Sequence, residues 1–391
     1  MKKIYLDNAA TSFPKAPGVG DAVRHFIDQI GGNVNRSGYD ALTSDEMVFE
    51  TREMLAHFFN FPTPENVIFT LNITYSLNFL LKGLLEPGDH VIVSSMEHNA
   101  VMRPLMQLQE QGVDFSRLVC DELGRLDANS LHTLVRPNTK MVVLTHASNV
   151  SGTILPVEEI GSICHEKGLW FILDTAQTAG VLPIDFQAFK LDALTFTGHK
   201  GLLGPQGVGG FLLSEDLAQR MDTLVSGGTG SLSEYEEVPP YLPDKFEAGT
   251  PNLPGIYGLN QSLNYIKKVG LATIREKELK LASYLLKGLD EMDGIRIVGP
   301  RDEKERMAVV SVDFEDCDNA DIAYYLDKHH GIRTRCGLHC APSAHKTLGT
   351  FPQGTVRFSP GHLNTIEEIE TTLLAIGQGL RELRNTRVRT P

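Results

Sequence analysis

Cysteine is scarce in this chain, and the five present are scattered at positions 120, 164, 317, 336 and 340. An odd, dispersed set makes no disulfide framework and fits a reducing compartment. Positive charge is in deficit too: 36 Lys and Arg stand against 49 Asp and Glu, a formal net charge of -13. That balance argues against nucleic acid or an anionic membrane surface as the main partner. No apolar run approaches membrane-spanning length. Met1-Lys2-Lys3 leads into only Ile4-Tyr5-Leu6 before Asp7-Asn8, too short for the apolar core of a signal peptide. The expectation is a cytoplasmic protein. There is no P-loop pattern, no G-x-G-x-x-G, no internal repeat and no low-complexity tract. Cys336, His339 and Cys340 have no second ligand pair beside them, so no metal site is expected.

What remains is an ordinary apolar and charged content spread over 391 residues, room for about two to three domains. From Val67 onward, strand-like runs alternate with helical patterns. Strands are expected at 67–70, 91–93, 141–144, 169–173, 193–196 and 208–213. Helices are expected near 22–30, 44–59, 75–85, 101–111 and 157–167. Such alternation predicts a mostly parallel sheet covered on both faces. Residues 227–251, rich in Gly, Ser, Glu and Pro, read as a long ordered loop. A helix over 272–292 then leads into a smaller α/β unit. Its strands are expected at 296–298, 309–312, 332–334 and 356–358, with one helix capped by Asp318. The last helix should open at Asn364, with Glu367 as a capping-box partner.

The chemistry gathers where two strands end. Leu169-Trp170-Phe171-Ile172-Leu173 is continuously apolar and stops at Asp174. That suits a buried parallel strand with a carboxylate at its C-terminal lip, where open α/β sheets keep their ligands. Ala193-Leu194-Thr195-Phe196 likewise runs into Thr197, His199 and Lys200. A lysine on one lip and a carboxylate on another are what pyridoxal phosphate requires. The amine forms the Schiff base, and the acid keeps the pyridine nitrogen protonated. Thr70-Leu71-Asn72-Ile73-Thr74, between a strand and a helix, offers backbone amides to a phosphate. Gln177 follows Asp174 closely enough to touch the same ring. His98, in Glu97-His98-Asn99, could lie over a planar cofactor. Alone, His98 reads as a structural histidine and Asn149 as a turn residue. Their joint placement at successive strand ends points to one site.

The ordered set Asp7-Asn8-Ala9-Ala10-Thr11, Glu97-His98, Ser148-Asn149-Val150, Asp174 to Gln177, Gly198-His199-Lys200, Phe246 to Asn252 and His339-Cys340-Ala341 spans most of the chain. It resembles the class V aminotransferase superfamily of fold-type I pyridoxal-phosphate enzymes, within it the cysteine desulfurase and selenocysteine lyase branch. The resemblance implies a large domain with a mostly parallel seven-stranded sheet, over 15–255. It also implies a smaller C-terminal α/β domain over 256–391, carrying Cys340 and Arg357, with residues 1–14 packing on it. Lys200 is implied as the cofactor-bearing and proton-shuttling residue. Asp174 is implied to pair with the pyridine nitrogen and His98 to stack on the ring. Gln177 and Asn149 are placed near the phenolic oxygen or the substrate, and Thr74, Thr197 and His199 around the phosphate. Thr250 matches the position that reaches the neighbouring subunit's phosphate, so a homodimer with shared sites is implied. Arg357 matches the residue that forks onto the substrate carboxylate, a task for a planar guanidinium. Arg335 and Arg36 are the further substrate-binding candidates.

Cys340 distinguishes the reactions open to such a site. By the resemblance, its thiolate takes sulfur from L-cysteine as a persulfide and alanine leaves, the chemistry that feeds iron–sulfur cluster assembly. A thiolate nucleophile wants a cationic, partly exposed setting, for which Arg335 and His339 are the neighbours in sequence. The short span from Cys340 to Arg357 looks like the SufS-like group and implies a restrained cysteine and a sulfur-accepting protein partner. Three positions depart from that group's pattern: Asn35 before Arg36, Asn72-Ile73 before Thr74, and Leu338 before His339. The alternatives are selenocysteine lyase, another class V aminotransferase or lyase, and a non-catalytic thiol redox or partner-binding module using Cys336 and Cys340.

Overall fold

The computed structural model describes residues 3–34, 39–232, 234–315 and 317–388. Seven strands form the larger sheet: β2 (Val67–Thr70), β3 (His90–Ser94), β4 (Asp114–Leu118), β5 (Thr139–Thr145), β6 (Trp170–Asp174), β7 (Ala193–Thr197) and β8 (Gly209–Leu213). They run in the order β2-β8-β7-β6-β5-β3-β4. From β7 to β4 every pairing is parallel, and only β8 runs antiparallel to its two neighbours. The protein is therefore an α/β fold with a seven-stranded, mostly parallel sheet.

Strand alternation decides which helices cover which face. In β5, Val142 and Leu144 join one core cluster while Met141 and Val143 join the other. β6 repeats this with Phe171 and Leu173 against Ile172. Both faces are dry, which is why these strands read as unbroken apolar runs. The helices Ile73–Leu84 and Asn99–Glu110 pack on one face; Val157–Lys167 and Leu253–Val269 pack on the other.

A second, antiparallel sheet runs in the order β12 (Arg335–Gly337), β13 (Thr355–Phe358), β10 (Val310–Phe314), β9 (Ile295–Val298). Its core includes Val310, Val312, Val356 and Phe358, roofed by residues of the helices Leu271–Asp290 and Ile366–Val388. The N-terminal strand β1 (Ile4–Tyr5) pairs in parallel with β11 (Ile332–Arg333), so the start of the chain is stitched to this second unit.

Several expectations shift in detail. The described residues of the segment 227–251 form no strand or helix, as read. β4, β12 and the helix Leu253–Val269 are additions. The last helix is capped one residue later than expected. Glu368 accepts from the Thr365 amide while Thr365 Oγ1 accepts from the Glu368 amide, each at 3.4 Å. Asn364 instead donates to the Tyr5 carbonyl, a tertiary tie that outweighs the local cap.

Candidate active site

Parallel strands that stop together place their end residues along one edge. β6 delivers Asp174 beside Thr145 of β5 and Thr195 of β7. β7 delivers Thr197 and, through the following turn, His199 and Lys200. Asp174 is buried, and its recorded hydrogen bond comes from the Ala176 amide at 2.8 Å. Burial pushes its carboxyl upward, opposed by that amide and by the Lys200 charge. Burial lowers Lys200 to about 8; Asp174 raises it, and Arg357 and Arg335 lower it further. An amine poised near neutrality is suited to exchanging protons.

A cavity of about 550 Å³ opens at this edge. Its walls bring together Thr74, His98, Asn149, His199, Lys200, Arg335, Cys340 and Arg357, eight of the expected site residues. Asp174 and Thr197, the last residues of β6 and β7, do not line it and are almost fully buried. Gln177 sits in a turn, donates to the Ala9 carbonyl at 3.1 Å, and lines a smaller adjoining cavity with Lys200. Thr250 is exposed and stands outside the cavity, on the long loop beside Gly249 and Pro251. Arg36 lies outside the described residues.

The electrostatics of the walls are specific. His98 Nδ1 accepts from the Ala100 amide at 3.0 Å, capping the helix Asn99–Glu110 and leaving Nε2 to carry the proton. Burial, followed by the Lys200 charge, lowers His98 to about 3, so the ring is neutral and free to lie against another ring. His199 is held down to about 4 by burial, with Lys200 and Lys15 adding to the effect. His339 does not supply the cation expected beside Cys340. Burial and Arg357 press it to about 2, and Nε2 pairs with Thr355 Oγ1 at 3.1 Å. The cations near Cys340 are Arg335 and Arg357, which face each other across β12 and β13.

Cys336 is the next residue of β12 after Arg335, opposite Val356, and so points to the other face of the sheet, where it packs against the small core. The strand's alternation separates it from the Cys340 cavity, which removes the geometric basis for a Cys336–Cys340 pair. Cys340 itself is exposed at the tip of a strained turn. His339 and Cys340 both take left-handed backbone angles, φ 48 and φ 58. Asn149 Nδ2 donates to the His339 carbonyl, and the Asn99 amide to the Cys340 carbonyl, each at 2.8 Å.

The donors at the helix Ile73–Leu84 are partly spoken for. Asn72 Oδ1 accepts from the amides of Thr74 and Tyr75 at 3.0 and 3.3 Å. The free amides expected there are thus capped by the residue that departs from the family pattern. Two groups that sequence reasoning did not assign also matter. Glu97 Oε1 accepts from Ser94 Oγ at 2.5 Å and from the Thr145 amide at 2.9 Å, tying β3 to β5 under the site. Asp7 pairs with Arg357 at 2.7 Å. Neither lines the cavity, and although both stand in the motifs quoted above, nothing in those motifs gave them a role.

Several polar atoms in and under the walls are buried without a partner: Thr197 Oγ1, His199 Nδ1 and Arg357 Nε. Buried polar groups are normally satisfied, and these are donors or acceptors suited to phosphate and carboxylate oxygens. With an acid under the sheet edge and a lysine above it, this set fits pyridoxal phosphate.

The aminotransferase class-V family model matches residues 4–372. The chain belongs to that family. A Methanothermobacter thermautotrophicus protein described as a probable cysteine desulfurase is 34% identical, over 97% of this chain and 94% of that one. The Pyrococcus abyssi protein of the same description is also 34% identical, over 98% and 96%. The apo structure of the cysteine desulfurase from Thermococcus onnurineus NA1 superposes with a TM-score of 0.90 at 33% identity, covering 97% of this chain and 95% of that one. The Escherichia coli cysteine desulfurase CsdA, in its S-sulfonic acid form, gives 0.87 at 29% identity, with the same coverage. This class V family member carries the fold of those enzymes over nearly its whole length.

Proposed function

We propose that the protein is a pyridoxal-phosphate-dependent cysteine desulfurase that converts L-cysteine to L-alanine and keeps the sulfur on Cys340 as a persulfide. One observation carries the reading. A lysine amine, an arginine and an exposed cysteine thiol share one cavity, so the carboxylate and the sulfur of L-cysteine would each meet a suited side chain there, and its amine the cofactor carried by the lysine. The matching relatives named as cysteine desulfurases support it.

Bound in the cavity, the cofactor supplies an electron sink for charge developing at the substrate's Cα. Lys200 would hold it covalently, and its amine when free, near 8 in this cavity, is suited to moving the Cα proton. Asp174 would pair with the pyridine nitrogen, and neutral His98 would stack on the ring. Thr74, Thr197 and His199 would hold the phosphate, while Asn149 and Gln177 would hydrogen-bond near the phenolic oxygen or the substrate. Arg357 binds the substrate carboxylate, with Arg335 beside it. Cys340 sulfur then bonds to the substrate sulfur as the carbon–sulfur bond breaks, and Cβ takes a proton.

Because Thr250 is outside its own chain's cavity, the reading includes a homodimer in which the loop 227–251 serves the partner's site. The remaining pieces are a cytoplasmic location, in keeping with five free cysteines, and a protein that accepts the persulfide. The division into an N-terminal segment, a large unit and a small unit carrying Cys340 and Arg357 belongs to the same proposal. No helix among the described residues is long and apolar enough to cross a membrane.

The test is product formation from L-cysteine and L-selenocysteine side by side. Wild-type protein should release L-alanine and, with a thiol present, sulfide; Cys340→Ser should lower sulfide release from L-cysteine at least a hundredfold. Sulfide release surviving in Cys340→Ser would overturn the persulfide step. Wild-type protein that consumes L-selenocysteine but forms no L-alanine from L-cysteine would mark a selenocysteine lyase.

A further inference from the structure

The N-terminal motif Asp7-Asn8-Ala9-Ala10-Thr11 has no assigned task, and its first residue sits on the substrate arginine. Arg357 Nη2 donates to Asp7 Oδ1 at 2.7 Å, and Arg357 Nη1 to the Asn149 carbonyl at 2.9 Å. The Arg357 side chain is 2% exposed and that of Asp7 19%. Arg357 lines the large cavity and Asp7 does not, so the carboxylate stands behind the guanidinium. Arg357 Nε remains buried and unpartnered, available to an incoming carboxylate oxygen.

Asp7 is itself anchored. It forms a parallel bridge with Ser359, two residues beyond Arg357 on the same strand direction. Ser359 donates its amide to the Leu6 carbonyl at 2.7 Å, and the Ala9 amide donates to Ser359 Oγ at 3.0 Å. The carboxylate therefore keeps a fixed position relative to β13.

A second guanidinium, Arg335, lies directly across from Arg357, and it has no carboxylate partner among the described residues. Two adjacent cations, one of them out of water's reach, repel each other and drive the buried one to seek solvent unless it is paired. Asp7 is the counter-ion that prevents this.

We infer that Asp7 is a positioning residue: from behind, it holds Arg357 so that its free edge faces the cavity and takes the α-carboxylate of the amino acid. The inference rests on the reading of Arg357 as the carboxylate binder. Asp7 contacts neither substrate nor cofactor. Its effect passes through one guanidinium and is confined to ligands that carry a carboxylate.

The test uses holoenzyme and two ligands that differ by that group, L-alanine and ethylamine, with binding read from the change in cofactor absorption. Asp7→Ala should weaken L-alanine at least tenfold and raise KM for L-cysteine by a similar factor. The same variant should leave kcat within threefold and ethylamine within twofold. Asp7→Asn, which keeps an oxygen acceptor but loses the charge, should fall between wild type and Asp7→Ala, and it serves if Asp7→Ala does not fold. L-Alanine affinity unchanged in both variants would overturn the inference, as would an equal loss for ethylamine, which would mark general damage. Arg357→Gln tests the underlying reading separately. If it leaves L-alanine binding intact, the assignment of Arg357 fails. If it weakens L-alanine while Asp7→Ala does not, only the role of Asp7 fails.

Discussion

Glu97 shows how far a residue can sit from its ordinary chemistry when the fold demands it. It is fully buried under the site, and burial raises its carboxyl to about 8, with Asp174 nearby adding to the rise and the Ser94 and Thr145 hydrogen bonds opposing it. In the unfolded chain the same group ionises near its ordinary value, about 4.3. Between those two values the folded protein keeps a proton that the unfolded chain has released, so folding loses stability as pH rises through that window. Glu97→Gln is neutral throughout and removes this dependence. In cofactor-free protein, the stability of the variant relative to wild type should therefore climb by about 3 kcal/mol between pH 5 and pH 8. Urea unfolding at the two pH values measures it. A difference independent of pH would mean that Glu97 is ionised in the folded protein.

The Cys340 turn is an element in its own right, because two successive non-glycine residues in left-handed conformations cost roughly 1–2 kcal/mol each. What holds it is a set of carbonyl acceptors satisfied from outside the turn, Asn149 Nδ2 on His339 and the Asn99 amide on Cys340. Asn149→Ala leaves the His339 carbonyl unpaired, which should destabilise cofactor-free protein by about 1–3 kcal/mol. It should also let the turn open, so iodoacetamide should alkylate Cys340 several-fold faster than in wild type. Unchanged alkylation would show that the turn is held without Asn149. At this scale the sequence was informative where burial is two-sided and silent elsewhere. β5, β6 and β7 announce themselves as apolar runs ending in Thr145, Asp174 and Thr197, because both their faces are covered. β4, at the sheet edge, has two exposed, two half-buried and one buried position with no alternation, and reads as nothing in particular. The helix Leu253–Val269 opens with Leu-Pro-Gly, a loop-like string. Pro254 is tolerated in the first turn, and Gly258 lets the helix approach Pro205 and Val23, where a Cβ would meet atoms within 3 Å. The site residues at strand ends were legible for the same reason as the strands. Asp7 and Glu97 were not, because their partners Arg357 and Thr145 lie far along the chain and only folding brings them near.

Across the whole molecule, the cavity joins contributions from both sheets. The large sheet brings Lys200 and His199, the small one Arg335 and Arg357, and the N-terminal segment spans the two. Ser12 donates its amide to the His199 carbonyl at 2.8 Å, while Asp7 holds Arg357. One expected contributor is still missing from this assembly. Thr250 is exposed on the loop 227–251, outside the cavity that Lys200 lines, and the described residues of that loop form no strand or helix to stabilise it alone. A long, well-placed loop without secondary structure is ordinarily functional. In a two-fold dimer, a residue that cannot reach its own site can complete the partner's. The consequence is testable by mixing. Thr250→Ala and Lys200→Ala subunits should each assemble into dimers with weakened or absent desulfurase activity. Unfolded and refolded together, half the dimers are mixed, and each mixed dimer regains one site with native Lys200 and native Thr250. Recovery to about a quarter of wild-type activity is expected for random pairing of the two subunits. If Thr250 serves its own chain instead, every mixed dimer has one site lacking the lysine and one lacking the threonine, and mixing yields no more than the average of the two variants.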